Sequence, residues 1–181
     1  MDLTDEALVR RVLEGDRSAF RILVDRHYDR CARFARHMLG DEQDAEEAVQ
    51  DAFLRAHRSL GRYEERQRFT GWLMRIVVNR CRTIGARRQR RKETFVHSDS
   101  AMRTAAAEDP TVDRTAWREE IARALLDLEP AAREAFLLKH VEELSYEEMS
   151  EATGVGVSAL KMRVKRACDR LRELLQEVHN V

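Results

Sequence analysis

The stretch VSALKMRVKRACDR, residues 157–170, concentrates positive charge in a chain whose formal net charge is zero. It holds five lysines or arginines and one acid, Asp169. Cations on a helix can neutralise backbone phosphates and bring side chains to base edges, so the chemistry indicated here is nucleic-acid binding. A solvated helix surface would carry the same charge, and the surrounding residues must decide between the two interpretations.

Those surrounding residues, 144–171, predict a helix, a tight turn and a second helix. Ser145 and Glu148 form an S-x-x-E capping box, Gly154 suits a left-handed turn, and Ser158 is predicted to cap the second helix. One side of that helix is apolar and buried, and the other side is mainly cationic. This pattern is typical of a helix-turn-helix, whose second helix enters the major groove. The predicted buried stripe is Leu160, Val164, Ala167 and Leu171. The predicted DNA contacts are Ser158, Lys161, Met162, Arg163, Lys165 and Arg166.

A second cationic helix is predicted over residues 69–91, with Arg75, Asn79 and Arg82 on its outward face. An outward asparagine flanked by arginines can hydrogen-bond a base and hold a nucleic-acid backbone. In the polar loop before this helix, Tyr63 is expected to be open to solvent. An open aromatic ring beside cations suits single-stranded DNA, because bases stack on the ring. The other two aromatic residues of this region, Phe69 and Trp72, are expected in the core.

An amphipathic helix is predicted over residues 44–60, with its small and apolar side chains facing inward. Leu54 faces the other way, among Gln50, Asp51 and Arg55. An isolated exposed leucine usually has no role. Within this polar face it could instead anchor a partner protein.

Charge is sorted into blocks along the chain. Residues 41–51 hold six acids and no base, and residues 66–92 hold ten arginines or lysines and no acid. Residues 142–151 then hold five acids before the C-terminal cations. Such sorting predicts separate surfaces for separate partners, and a merely solvated charged face is the alternative.

Composition excludes several classes of protein. Charged residues make up 36% of the 181 residues, and no apolar run approaches the ~20 residues of a membrane span, so no stable membrane insertion is expected. The three cysteines form no CxxC pair, which favours a reducing, cytoplasmic location. No phosphate-binding loop G-x-x-x-x-G-K-[ST] occurs, and no cofactor is expected.

A metal centre is also disfavoured. His27 and Cys31 have the i,i+4 spacing of a ligand pair, but no second pair accompanies them. A helical carboxylate metalloenzyme built on residues 41–51 would need inward acids and Glu-x-x-His repeats, and no glutamate has a histidine three residues later. We therefore expect neither a catalytic residue nor a metal.

The elements that position these residues are all predicted to be helices, because no segment alternates with period two. The expected architecture is all-α, with a domain at 1–91, a flexible linker at 92–113 and a helix-turn-helix domain at 114–181. Four helices are predicted in the first domain: from Thr4 to Gly15, from Asp16 to Gly40, from Asp41 to near Gly61 and from near Gly71 to 91. Two more are predicted over Trp117–Leu128 and from Pro130 to about Val141. The two helices of the helix-turn-helix follow them.

In this order and spacing the chain resembles a bacterial sigma-70 family sigma factor of the small extracytoplasmic-function (ECF) group. The resemblance covers nearly the whole chain. It is carried by EGDRSAFRILVDRHYDR, LGDEQDAEEAVQDAFLRAHRSL, RFTGWLMRIVVNRCR and LSYEEMSEATGVGVSALKMRVKRACDRLREL. Four positions depart from the family pattern. His57 stands where tryptophan is frequent, and Thr83 where aspartate is common. Ser150 replaces a usual alanine, and Gly156 is uncommon in the turn.

The resemblance implies a role for each surface. The helix at 44–58 would dock on the coiled coil of the largest RNA polymerase subunit, the segment at 66–91 would bind the promoter −10 element, and the C-terminal module would read the −35 element and touch the flap of the second large subunit. An anti-sigma factor is a further expected partner. The core-binding residues implied are Glu47, Gln50, Asp51, Leu54 and Arg55. The −10 residues implied are Tyr63, Arg66, Arg68, Arg75, Asn79, Arg82 and Thr83.

The expected mechanism is a division of labour between a docking helix and two DNA-binding surfaces. The linker is expected to let those surfaces move independently, so that free protein binds promoter DNA poorly until polymerase fixes their separation. The alternative is a helix-turn-helix regulator that binds duplex DNA without polymerase. That alternative leaves the 44–58 face and the arginine-rich 66–91 segment unexplained.

Overall fold

The computed structural model describes residues 3–64, 68–95 and 112–179, with side chains up to residue 91 in the second range and over 117–176 in the third. Within these ranges the chain is all-α and has no strand, as predicted. The helices are α1 (Asp5–Leu13), α2 (Arg17–Leu39), α3 (Glu42–Ser59), α4 (Phe69–Phe95), α5 (Val112–Leu126), α6 (Pro130–Phe136), α7 (Tyr146–Thr153) and α8 (Val157–His179).

Side-chain caps fix the first three helices where the sequence predicts them. The Thr4 hydroxyl accepts a hydrogen bond from the Ala7 amide at 3.3 Å, and the carboxylates of Asp16 and Asp41 cap α2 and α3. Gly40 ends α2 with φ at 66°, a left-handed conformation that glycine adopts without steric cost. A short 3₁₀ turn, Leu60–Arg62, follows α3.

The core of the N-terminal half lies between α1, α2, α3 and α4. Leu8, Leu23 and Phe34 are fully buried there, and Leu73 of α4 packs against the same cluster. Burial of each leucine stabilises the fold by about 2 kcal/mol. The predicted inward face of the 44–60 helix is confirmed, since the following side chains are all buried: Ala45, Val49, Ala52, Phe53, Ala56 and Leu60.

The C-terminal half begins with α5, which starts at Val112, earlier than predicted. Glu129 caps α6 through its carboxylate, which accepts hydrogen bonds from two backbone amides at 3.1 Å, and Pro130 occupies the first turn. A π-helical turn, Leu137–Val141, extends α6 to the predicted end.

The capping box of α7 and the turn that follows it are present. The Glu148 amide donates to the Ser145 hydroxyl at 3.2 Å and the Ser145 amide donates to the Glu148 carboxylate at 2.8 Å. Gly154 has φ of 71°, as the left-handed turn requires.

The prediction that Ser158 caps α8 is wrong. The helix begins at Val157, two residues earlier than a cap at Ser158 implies, and the Gly156 carbonyl accepts the first helical hydrogen bond, from Leu160 at 3.1 Å. Gly156 therefore takes the cap position, which glycine tolerates nearly as well as serine. Ser158 lies inside the first turn.

The two halves of the chain pack against each other, with α4 against α7 and α2 against α5. This packing disagrees with the expectation that the two DNA-binding surfaces move independently. Arg133 of α6 shows the contact clearly: its guanidinium donates to the Met38 carbonyl of α2 at 2.7 Å. The linker predicted at 92–113 begins within α4 and ends within α5, and residues 96–111 lie outside the described ranges.

Candidate nucleic-acid and protein interfaces

The first candidate interface is the outer face of α8. The predicted stripe of Leu160, Val164, Ala167 and Leu171 is buried, and Met149 of α7 is buried in the same core. This packing holds α7 and α8 as one unit and turns the opposite side of α8 to solvent. Ser158, Lys161, Met162, Lys165 and Arg166 are exposed there, and Arg163 is half-buried at the edge. The described part of α8 therefore presents cations and an exposed methionine from its first turn onward.

Tyr146 supports the start of this cationic face. The Nζ atom of Lys161 lies 5.6 Å from the centroid of the Tyr146 ring, and that of Lys139 lies 5.0 Å from the same centroid. Each distance is within the range of a cation–π contact. The ring thus gathers two lysines beside the N-terminus of α8, where the helix dipole also favours anions.

The second candidate interface is the outer face of α4. Arg75, Asn79 and Thr83 are exposed, which agrees with their predicted outward orientation. The Thr83 hydroxyl donates to the backbone carbonyl of Asn79 at 2.8 Å, so this bond does not use the amide side chain of Asn79. Arg66 lies outside the described residues.

Arg82 also belongs to the predicted face, but its guanidinium contacts the C-terminal half. Its Nε and Nη2 atoms donate to the two carboxylate oxygens of Glu134 at 2.7 and 2.6 Å. The hydrogen bonds that Arg82 donates to the Glu134 carboxylate raise the pKa of Arg82. Arg82 is therefore half-buried and paired, and a phosphate would have to displace Glu134.

Tyr63 is not open, and that prediction is wrong. Its side chain is only 9% exposed, because its ring packs edge-on against Phe69 at 5.8 Å and Trp72 at 5.5 Å between ring centroids. The expectation that Phe69 lies in the core is confirmed, and Trp72 is half-buried against it. Packing the three rings against one another stabilises this end of α4 more than an exposed Tyr63 ring would.

The third candidate interface is the outer face of α3. Glu47, Gln50, Leu54 and Arg55 are exposed, and Leu54 exposes 57% of its surface. Asp51 is half-buried, and its carboxylate accepts a hydrogen bond from Arg55 at 3.0 Å and forms an ion pair with Arg80. The hydrogen bond from Arg55, supported by the positive charge of Arg80, lowers the pKa of Asp51. Asp51 is thus a fixed negative charge next to an exposed leucine.

The acidic and basic blocks partly face each other, which block composition does not predict. Arg87 of α4 donates to both oxygens of Glu47 at 3.1 and 3.0 Å, and Arg88 lies 3.5 Å from Asp44. Together with the contact between Arg80 and Asp51, these pairs join α3 to α4 in antiparallel order. The available signal is helical spacing: Asp44, Glu47 and Asp51 are three and four residues apart and therefore lie on one face of α3.

The two candidate metal ligands, His27 and Cys31, have other environments in the structure. His27 Nε2 lies 2.7 Å from the Asp5 carboxylate, and the Cys31 thiol is buried, which raises its pKa to about 12. Across 3–64, 68–91 and 117–176 no three histidine, cysteine or acidic side chains surround a common point. None of the described helices is long and apolar enough to cross a membrane.

Comparison with known proteins shows the family of this chain. Two family models match the chain, Sigma-70 region 2 over residues 23–92 and Sigma-70, region 4 over residues 118–171. RNA polymerase sigma factor CarQ of Myxococcus xanthus is 36% identical over 94% of this chain and 97% of its own. ECF RNA polymerase sigma factor SigM of Mycobacterium tuberculosis is 36% identical over 95% of this chain and 85% of its own. The chain belongs to the ECF group of the sigma-70 family.

A solved structure shares the fold of this sigma factor. The sigma factor RpoE of Bartonella quintana, solved in complex with the anti-sigma factor NepR, is 25% identical, with a TM-score of 0.72 over 87% of this chain and 96% of its own. The helices described above thus form the fold of an RNA polymerase sigma factor, which is a transcription initiation factor. These findings favour a sigma factor over a helix-turn-helix regulator that acts without polymerase.

Proposed function

We propose that this ECF sigma factor docks on RNA polymerase core through the outer face of α3. The docking residues are Glu47, Gln50, Asp51, Leu54 and Arg55. An exposed leucine ringed by charged side chains has the composition of an interface anchor, because the apolar side chain supplies binding energy and its charged neighbours supply orientation. The coiled coil of the largest subunit is the proposed partner of this face.

The α8 face is the proposed reader of the −35 element. Its contact residues are Ser158, Lys161, Met162, Arg163, Lys165 and Arg166. Exposed cations that start in the first turn match a recognition helix, whose N-terminal residues reach base edges while flanking cations hold phosphates. The same C-terminal half would touch the flap of the second large subunit.

The α4 face and the preceding loop are the proposed reader of the −10 element. The residues are Tyr63, Arg66, Arg68, Arg75, Asn79, Arg82 and Thr83. The exposed positions of Arg75 and Asn79 support direct contact with DNA. The burial of Tyr63 means that this ring would have to leave its packing against Phe69 and Trp72 before a base could stack on it.

Polymerase would convert weak contacts into a promoter reader. Each DNA-binding face is small and binds its promoter element weakly. When polymerase fixes the distance between the two faces, binding of one element raises the effective concentration of the other face at its own element. Because it acts on RNA polymerase, the proposed location of this sigma factor is the cytoplasm. An anti-sigma factor is a proposed partner, because the similar sigma factor of Bartonella quintana was solved bound to one.

The observation that carries this proposal is the exposed cationic face of α8 on a helix-turn-helix packed beside a sigma-70 region 2 fold. Run-off transcription with purified core polymerase tests it. Adding the sigma factor should give transcripts from defined start sites on host DNA, while core alone gives none. Tight binding of the free protein to closed duplex, with no affinity for core, would instead favour the regulator that works without polymerase.

A further inference from the structure

Met162 is an exposed apolar side chain at the centre of the cationic face of α8. It leaves 50% of its surface open to solvent. At about 100° per helical residue, Met162 lies about 200° around α8 from the fully buried Leu160, so it projects directly away from the core. A single exposed methionine usually has no role. The groups around Met162 and the chemistry of its side chain decide whether it has one here.

Cations border Met162 on both sides of the helix. Lys165 and Arg166, three and four residues further along, are exposed to either side of it. The Nζ atom of Lys161 lies 5.6 Å from the centroid of the Tyr146 ring, and this cation–π contact draws the lysine towards the start of α7. The face therefore has an apolar centre and a cationic border.

The later arginines of α8 are engaged within the helix. Arg170 pairs with Glu173 at 3.1 Å, and Arg172 pairs with Asp169 at 3.2 Å. Met162 lies earlier, within the first two turns of α8. Residues in this part of a recognition helix reach base edges in the major groove, while cations beside them hold phosphates. Met162 thus has the position of a side chain that contacts a base.

The chemistry of methionine restricts which base Met162 can recognise. Its side chain has no hydrogen-bond donor, and its thioether sulfur is only a weak acceptor, so it cannot read a base through hydrogen bonds. In the major groove, thymine alone presents an apolar group, the methyl group on C5. A methionine side chain is unbranched and polarisable, and it therefore adapts its shape to such a contact.

From these observations we infer that Met162 selects thymine in the −35 element by packing against the C5 methyl group of that base. This inference rests on the proposed function of the α8 face, and it names the chemical group that the face recognises. The cations beside Met162 contribute affinity through phosphates, which every DNA sequence presents. Met162 contributes the preference for one base.

The test begins with a selection of duplex DNA by the full-length sigma factor at low salt, alone and in complex with core polymerase. The library has a random central segment between fixed ends. Enriched duplexes should share a thymine position that Met162→Ala no longer enriches. The enriched duplex is then made with uracil in place of that thymine, which removes the methyl group and keeps every hydrogen-bonding group of the base pair.

Fluorescence anisotropy measures binding of the thymine and uracil duplexes. The parent should bind the uracil duplex about fourfold more weakly, the loss expected for one buried methyl group. Met162→Ala should bind the two duplexes equally, whereas Met162→Leu, which keeps a large apolar side chain, should retain most of the difference. Lys165→Ala should weaken binding of both duplexes by the same factor, because it removes a charge and leaves the apolar contact in place.

The inference is overturned if the parent binds the thymine and uracil duplexes equally, or if Met162→Ala keeps the parent's difference. Because Met162 is exposed, its substitutions leave the core of α8 intact, which circular dichroism checks. If duplexes are enriched without a methyl preference, the inference alone fails. If neither form of the protein enriches any duplex, α8 is not a DNA reader, and the inference fails together with that part of the proposed function. Failure of the proposed polymerase docking appears separately, as absence of transcripts in the run-off assay.

Discussion

Leu54 is an exposed apolar residue whose position is best explained by a partner protein that covers it. It projects from α3 between the fixed charge of Asp51 and the side chain of Arg55. An apolar side chain that becomes buried at the centre of an interface can supply a large part of the binding free energy. Leu13 of α1 has nearly the same exposure, 56%, without belonging to the proposed docking face.

This pair of leucines gives a matched test of the docking face. Leu54→Ala should weaken affinity for core polymerase by about tenfold or more, because truncation of an interface anchor costs about 1.4 kcal/mol or more. Leu13→Ala should bind core as the parent does. Fluorescence anisotropy of labelled sigma factor titrated with core measures both, and equal losses for the two variants would remove α3 as the docking helix.

Glu148 provides a prediction about acid stability. The hydrogen bond from the Ser145 amide lowers its pKa below the ordinary value of 4.5, so the folded state favours the ionised form. This contribution to the free energy of unfolding is present above pH 4.5 and is lost as the pH falls below that value towards the folded pKa. Glu148→Gln should therefore lose less stability over that acidic window than the parent.

Urea unfolding at a series of pH values checks this expectation. The control is Glu119→Gln, which removes a carboxylate that pairs with Arg123 within α5 at 3.7 Å, and it should follow the parent curve. Parallel curves for the parent and Glu148→Gln would show that the capping box does not carry the acid sensitivity.

Single residues also show which environments could be predicted from the sequence and which could not. Leu54 and Asn79 have the exposure that helical spacing predicts, because their environment is set by their own helix. Tyr63 does not, because its burial depends on rings six and nine residues further along the chain that fold back over it. The cap of α8 lies two residues before the predicted Ser158, since Gly156, immediately before the helix, can serve as the cap.

At the scale of elements, most helix ends are set by local chemistry and were predictable, apart from the starts of α5 and α8. Capping side chains at Thr4, Asp16, Asp41 and Ser145 start helices, and Gly40 and Gly154 end them in the left-handed conformation. The pairing of α3 with α4 through Arg80, Arg87 and Arg88 was not predicted from the charge blocks. Two blocks of opposite charge can face solvent, partners or each other, and only the helix packing decides.

The two left-handed glycines give a test of the contact between halves. A Cβ atom at Gly40 would lie 2.5 Å from a methyl group of Leu126 on α5, whereas at Gly154 it would meet nothing within 4 Å. Gly154→Ala should cost about 1 kcal/mol of stability, the penalty for alanine in this conformation. Gly40→Ala should cost more, because Leu126 must also move.

A double-mutant cycle separates the two costs. Leu126→Ala combined with Gly40→Ala should remove the excess destabilisation, so that the remaining cost of Gly40→Ala matches that of Gly154→Ala. Chemical unfolding of the four proteins of the cycle and of Gly154→Ala provides the free energies. If Gly40→Ala and Gly154→Ala cost the same in the parent background, the close approach of α2 to α5 is not maintained in solution.

At the scale of the whole molecule, the packing of the two halves is the feature that sequence patterns could not provide. Arg82 and Glu134 are 52 residues apart, and Arg30 and Glu142 are 112 apart, so neither pair belongs to a helical period. The family, the all-α fold and the helix-turn-helix were accessible because each depends on local spacing. The packing of α4 on α7 and of α2 on α5 differs from the independent movement that was expected of the two DNA-binding faces.

The central claim is that one face holds polymerase and another selects the promoter. Affinity for core and run-off transcript yield, measured together for Leu54→Ala and for Lys165→Ala with Arg166→Ala, test it most directly. The α8 variant should keep core affinity within about twofold, because its cations are distant from α3, yet lose transcripts by about tenfold or more. The Leu54 variant should lose core affinity, and its transcript yield should recover when its concentration is raised. Equal loss of core affinity in both variants would contradict the separation of the two faces.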